Sequence, residues 1–239
     1  MKYIYGPIQS RRLGVSLGVS LTPHKVCSFD CIYCQLGPTT QKEIQRKEYN
    51  SIYQIFEELR TFLQAYSSAK DKIDYITLAG FGEPTLNENI GALIERIKKL
   101  TSIPVAVLTN SSLFSKQEIR QALLNADMVM PTLCSVQQSD FELINRPAQG
   151  LQVSDIMQGL IEFRRAFRGK LWLEIMVIKG VNDSVVKVKQ IKEFLQQLKP
   201  DKVFLNSPVR PPSETFIEPA DRRTLVRMRE SLGVGVEVA

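Results

Sequence analysis

Cys27, Cys31 and Cys34 fall within eight residues, Cys27-Ser-Phe-Asp-Cys31-Ile-Tyr-Cys34, and the chain has one further cysteine, Cys134. Three thiolates on one short loop make a metal site that is one ligand short, since a four-iron cluster and a structural zinc each take four protein ligands. A coordination position that the protein leaves open is a place where a small molecule can bind and react. Zinc, with His24 or Cys134 as fourth ligand, is a competing reading. Zinc frameworks usually come as two separated pairs, however, and no second CxxC or HxxxH pair is present. Disulfides are a third reading, and a chain of 239 residues can bury a core without them.

Other residues with chemical reach punctuate the chain. Gly80-Phe81-Gly82-Glu83-Pro84 holds two glycines that permit a tight turn and a proline suited to a helix's first turn. The same glycines also let backbone carbonyls and a carboxylate approach an ammonium group. Asn110 is either a left-handed turn residue or a polar group at a strand end, and Thr132 either closes a strand or offers its hydroxyl. Cys134 reads as a packed thiol in preference to a ligand. Glu174 interrupts an apolar run at 171–178. Burying an unpaired carboxylate costs several kcal/mol, so it pairs with a buried base or meets a polar ligand, and the ligand is the expectation. Arg210, just before Pro211-Pro212, is a cation on a rigid loop that could hold a carboxylate or phosphate, or a plain surface arginine.

These residues need elements to position them. Short apolar runs at 13–21, 73–79, 104–109, 127–133, 171–178 and 202–206 read as strands covered on both faces. Amphipathic helices lie between them: one stripe runs Ile52, Ile55, Phe56, Leu59, Phe62, Leu63 and Tyr66, and others start at Ile90, Val153 and Val188. Ser115 with Glu118, and Ser139 with Glu142, read as capping boxes. Six strand–helix repeats predict parallel strands with right-handed crossovers: an α/β fold, a partial (β/α)6 TIM-type barrel with a parallel sheet, in one core domain over residues 1–239. Chemistry in such barrels gathers where strands end, and the cysteine loop, the Gly80–Pro84 turn, Asn110, Thr132, Cys134 and Arg210 all fall at or after strand ends, while Glu174 lies within its strand.

No apolar run is long enough to cross a bilayer. Ser10-Arg11-Arg12-Leu13 resembles a twin-arginine export signal, but residues 13–21 alternate apolar with small residues and no cleavage-like site follows. The pair therefore reads as a strand start, and the expected location is cytoplasmic, where thiolates stay available for metal. A net charge of +6 makes anionic partners plausible. Arg11, Arg12, Lys42, Arg46 and Lys47 form the densest early cluster, which a solvated surface explains as well as RNA contact does.

The C-x3-C-x2-C loop with Tyr33 before its last cysteine, followed by a Gly-Glu-Pro turn after the second barrel strand, resembles the radical S-adenosylmethionine (SAM) superfamily. The resemblance covers nearly the whole chain. It implies a [4Fe-4S] cluster on Cys27, Cys31 and Cys34, with SAM on the fourth iron. It further implies Tyr33 near the adenine, Gly80, Phe81, Gly82, Glu83 and Pro84 at the methionine amino group, and Asn110 and Thr132 near the ribose or carboxylate. Glu174 joins these as a candidate SAM contact, and Glu174 and Arg210 are the candidates for catalysis. Where related sequences often carry Ser-Leu-Asp, this chain has Thr132-Leu133-Cys134, keeping the hydroxyl without the carboxylate. The implied chemistry is one-electron: a flavodoxin or ferredoxin reduces the cluster, and SAM is cleaved to methionine and a 5′-deoxyadenosyl radical that takes hydrogen from substrate.

More narrowly, the Ser10-Arg-Arg-Leu-Gly-x-Ser-Leu-Gly-Val opening, Leu36-Gly37, Asn145-Arg-Pro147 and Asn206-Ser-Pro-x-Arg-Pro-Pro212 resemble the wybutosine-synthesis-like group, which remodels a guanosine in tRNA. The chain departs from that pathway in having no extra cysteines for a second cluster and no flavodoxin-like domain. A glycyl-radical-enzyme activase acting on a protein substrate is the alternative enzyme, a metal-stabilised binding module is the non-enzyme reading, and a monomer is favoured.

Overall fold

All six apolar runs form strands in a computed structural model of the chain, which describes residues 1–65, 72–233 and 235–239. In chain order the strands are β1 (Ile4–Ser10), β2 (Gly14–Ser20), a short pair β3 (Val26–Cys27) and β4 (Gln41–Lys42), then β5 (Tyr75–Ala79), β6 (Val105–Thr109), β7 (Met128–Pro131), β8 (Lys170–Met176), β9 (Lys202–Asn206) and β10 (Val236–Val238). The helices are α1 (Ile52–Ala65), α2 (Ile90–Leu100), α3 (Gln117–Ala122), α4 (Gln138–Asn145), α5 (Val153–Ala166), α6 (Val185–Leu198) and α7 (Arg222–Leu232). Tyr66, expected to extend the α1 stripe, lies outside the described residues.

β2 and β5 to β9 pair in sequence order and in parallel, as repeated strand–helix units require. The sheet has eight strands where six were expected. β1 adds an antiparallel edge to β2 and β10 a parallel one to β9. β1 escapes detection because most of its residues face solvent and carry no apolar alternation.

Period-2 alternation divides the sheet's two faces. Leu17, Val19, Ile76, Leu78, Val105, Val107, Val129, Leu173 and Leu205 are buried in one cluster with the helix residues Ile55, Leu59, Leu93, Ile97 and Leu160. The alternate positions form a second, inner cluster: Ala106, Met128, Met130 and Phe204, with Tyr75, Leu108 and Trp172 against them. Leu13 belongs to this inner cluster. The β1–β2 turn therefore packs its own side chain against the inner face of the sheet, and the Arg-Arg-Leu segment whose sequence resembles an export signal is part of the fold.

The two capping boxes are not formed. Lys116, not Ser115, stands at the α3 N-cap, because residues 111–116 turn first. That turn is held from two sides: on α5 a Cβ at Gly159 would lie 2.2 Å from the Phe114 carbonyl oxygen, and on α3 itself Arg120 donates to the Phe114 and Ser115 carbonyls at 2.7 and 2.9 Å. Ser139 lies inside the first turn of α4, behind the N-cap Gln137. Ser184 and Asp221 do cap α6 and α7 through their side chains. Among the described residues, no helix is long and apolar enough to cross a membrane.

Candidate functional site

The cysteine loop follows β2 and is pinned from two directions. On one side Lys25 N–H donates to the Phe81 carbonyl at 2.6 Å and Glu83 N–H to the Val26 carbonyl at 3.1 Å. On the other, Asp30 and Ile32 N–H groups donate to the Asn145 and Ile144 carbonyls at the end of α4, both at 3.0 Å. Cys27, Cys31 and Cys34 are all part-buried and free, and each sulfur receives a side-chain N–H donor. Asn110 Nδ2 donates to Cys27 Sγ at 3.4 Å, Asn145 Nδ2 to Cys31 Sγ at 3.3 Å, and Lys25 Nζ to Cys34 Sγ at 3.1 Å. Burial pushes the Cys27 thiol up to about 12 and the Cys31 thiol well above its ordinary value. Thiols so placed are protonated unless a metal displaces the proton. Among the described residues, no three His, Cys, Asp or Glu side chains converge tightly enough for one ion; a cubane instead takes one sulfur on each of three irons.

The Gly80–Pro84 turn ends β5, and its glycines are dictated by space. Gly80 has φ +111°, the left-handed region. At Gly82 a Cβ would lie 2.0 Å from the Val26 carbonyl oxygen, so the turn and the cysteine loop touch backbone to backbone there. Glu83 is buried and accepts from Thr85 N–H (3.0 Å), Thr85 Oγ1 (2.6 Å), Thr109 Oγ1 (2.7 Å) and Asn110 N–H (2.7 Å). Burial raises its pKa while those hydrogen bonds oppose the shift. Pro84 opens a 3-10 helix, Pro84–Leu86, as its position after the acid suggested. Phe81 stays exposed, its ring 5.8 Å from Tyr5 and 6.0 Å from His24.

Asn110 is not the left-handed residue of its turn; Ser111 is, with φ +71°. That frees the Asn110 side chain to span Cys27 and Ser28, the latter at 2.9 Å. Glu174 points inward and has found a base: Arg12 pairs with it, Asn206 Nδ2 donates at 3.0 Å and Thr132 Oγ1 at 3.3 Å. Of the two alternatives that the sequence offers for Glu174, the pairing with a base is present. Arg11 extends the network by donating to Asn206 Oδ1 at 3.1 Å.

Tyr33 is turned toward Cys134, whose thiol donates to its hydroxyl at 3.5 Å, within a small cluster that includes Ile32, Ile144 and Ile178. Cys134 is a packed thiol, 2% exposed. Arg210 lies exposed and donates to Gln35 Oε1 at 2.9 Å. Sequence reasoning missed Lys25 and Tyr5 altogether. Tyr5 lies across Gly18, where a Cβ would fall 2.1 Å from its ring, and burial raises its phenol to about 12. The small residue in β2 was the available signal, and its partner lies on a strand that had no pattern.

Three thiols on one loop, a backbone-tight glycine turn beside them and a parallel partial barrel beneath define a family, and residues 21–191 match the model of the Radical SAM superfamily: the chain belongs to that superfamily. Members are enzymes that use a [4Fe-4S] cluster and SAM. Within it the chain groups with the UPF0026 proteins. One from Methanocaldococcus jannaschii is 39% identical over 219 residues, 92% of this chain and 67% of that protein. A Brachyspira hyodysenteriae protein named GTPase Obg is 44% identical over 209 residues, but the chain spans only 30% of its length. Among solved structures, a radical SAM methyltransferase from Sphaerobacter thermophilus superposes with a TM-score of 0.73 at 16% identity, over 94% of this chain and 65% of that one. TYW1 with a lysine-pyruvate adduct gives 0.65 at 14%, over 91% and 72%. Both share the partial barrel. The donor set fits an anionic cluster: three thiols, each with an N–H donor, and a buried ammonium beside one of them.

Proposed function

We propose that residues 1–239 form one radical SAM core domain of a cytoplasmic enzyme, in which Cys27, Cys31 and Cys34 would hold three irons of a [4Fe-4S] cluster and leave the fourth to SAM. When bound, the reduced cluster supplies one electron to the sulfonium of SAM, whose carbon–sulfur bond breaks to give methionine and a 5′-deoxyadenosyl radical that takes hydrogen from substrate. The chain's own residues bind and orient. The Gly80-Phe81-Gly82-Glu83-Pro84 turn receives the methionine amino group, with Glu83 fixing the turn and Phe81 covering it. Asn110 and Thr132, at neighbouring strand ends, serve the ribose and carboxylate, and Tyr33 backs the adenine side of the loop. Glu174 and Arg12 form the polar floor that a substrate meets, and Arg210 stands on the rim. The apolar inner cluster below that floor keeps water out of the lumen's lower end.

The observation that carries this reading is that a side-chain N–H donor is aimed at each of the three sulfurs, Cys27, Cys31 and Cys34. A flavodoxin or ferredoxin supplies the electron. The substrate we favour is a tRNA nucleoside, supported by the net charge of +6 and by four exposed arginines on α7, Arg222, Arg223, Arg227 and Arg229. Anaerobic reconstitution, dithionite reduction and detection of 5′-deoxyadenosine, with and without tRNA, test it. Replacing any of the three cysteines by Ala should abolish cluster uptake and SAM cleavage, whereas Cys134→Ala should spare both. A zinc-loaded, iron-free protein that leaves SAM intact would end the proposal.

A further inference from the structure

Lys25 is a cation in an unusual position. The residue is buried, 3% exposed. Its backbone has φ +58°, a region that costs a non-glycine residue energy. The conformation is enforced from both sides: its N–H donates to Phe81, and its carbonyl accepts from Gln41 N–H at 3.2 Å. The result is to aim the ammonium at Cys34, and that sulfur, at 3.1 Å, is its one hydrogen-bond partner among the described residues. No ion pair among the described residues includes Lys25, and Glu83 on the adjoining turn directs its oxygens to Thr85, Thr109 and Asn110 instead. A buried charge without a counter-charge is costly. The counter-charge has to come from what the thiols hold.

We propose that Lys25 is the electrostatic tuner of the cluster, a reading that rests on the function proposed above. Of the three side-chain N–H···S donors among the described residues, Asn110 and Asn145 are neutral, and Lys25 brings a full positive charge to a ligand sulfur. Hydrogen bonds to the sulfurs and net charge set iron–sulfur potentials. One electron passes from a low-potential donor, a reduced flavodoxin or ferredoxin, to the oxidised cluster, making the site more negative by one unit. The ammonium of Lys25 stabilises that added charge and so raises the potential to within reach of the donor. Lys25 touches a ligand sulfur, not SAM or substrate, so its role is tuning rather than catalysis.

The test compares reconstituted wild-type protein with Lys25→Met and Lys25→Asn. Met keeps the length of the side chain without its charge. Asn tolerates the left-handed backbone, so it guards against a variant that simply misfolds. The readouts are iron and sulfide per chain, the midpoint of the reduced cluster's electron paramagnetic resonance signal in a mediated redox titration, and the dissociation constant for SAM. Both variants should keep wild-type iron and SAM affinity while the reduced-to-oxidised ratio at a fixed solution potential falls about tenfold, about 59 mV for a one-electron couple. An unchanged midpoint overturns the proposal. So does an unchanged midpoint with weakened SAM binding, which would make Lys25 a ligand for the SAM carboxylate. Loss of iron from both variants would assign it a structural role and overturn it too. A wild-type protein that takes up no cluster would defeat the function proposed above before Lys25 came into question.

Discussion

Glu83 and Glu174 are both acids buried in the barrel, and they are held in opposite ways. Glu83 is gripped by four neutral donors from Thr85, Thr109 and Asn110, all on its own turn or the next strand end. Glu174 is held by a cation 162 residues away in sequence, with Asn206 and Thr132 as helpers. A carboxylate bracketed by fixed neutral groups is part of the scaffold. One held by a long, movable guanidinium can exchange its partner when something better arrives. The mouth turn is therefore braced locally, and the lumen pair by a contact distant in sequence.

The bracket should break hardest. Gly82→Ala forces a Cβ into the Val26 carbonyl, and we expect a loss of about 3 kcal/mol in urea unfolding together with failure to take up iron. Glu83→Gln should cost about 2 kcal/mol, because an amide N–H then faces a donor. Its pH signature has a definite sign. Burial raises the folded-state pKa of Glu83, so the folded chain binds the proton more tightly than the unfolded one. The wild-type contribution should therefore decline as pH rises from about 4.3, the unfolded value, and level off above the raised folded value. Glu83→Gln should lack that slope; an identical slope in both proteins would assign it to another group.

The lumen pair should break more gently and be repairable. Arg12→Ala strands Glu174 and should cost about 2 kcal/mol, less than a fully buried pair because both side chains retain some solvent. The double variant Arg12→Met with Glu174→Met should recover most of that while keeping its iron. If the double variant is as unstable as the sum of the singles, the pair is scaffold after all and the contrast with Glu83 fails. Thr132→Val, which removes only the 3.3 Å hydroxyl contact to Glu174, should cost about 0.5 kcal/mol.

Local patterns foretold what they can encode. The six inner strands fall within two or three residues of the apolar runs, since each is covered on both faces and reads as unbroken hydrophobic sequence. The cysteine loop and the glycine turn were visible because spacing alone carries them. The partner of Glu174 was not, because a lone acid in an apolar strand announces a need for compensation without saying from where. Arg12 answers it from a hairpin turn whose own sequence invited another interpretation. Lys25 was missed for a related reason: its aim depends on a left-handed φ imposed by Phe81 and Gln41, which no short window contains. The displaced helix starts teach the same lesson, since tertiary contact with α5 decides where α3 begins.

Leu13 lies against the inner face of the sheet. The segment that joins the first two strands thus serves as packing material for that face, and Leu13→Ala would empty space shared by Met128, Met130 and Phe204.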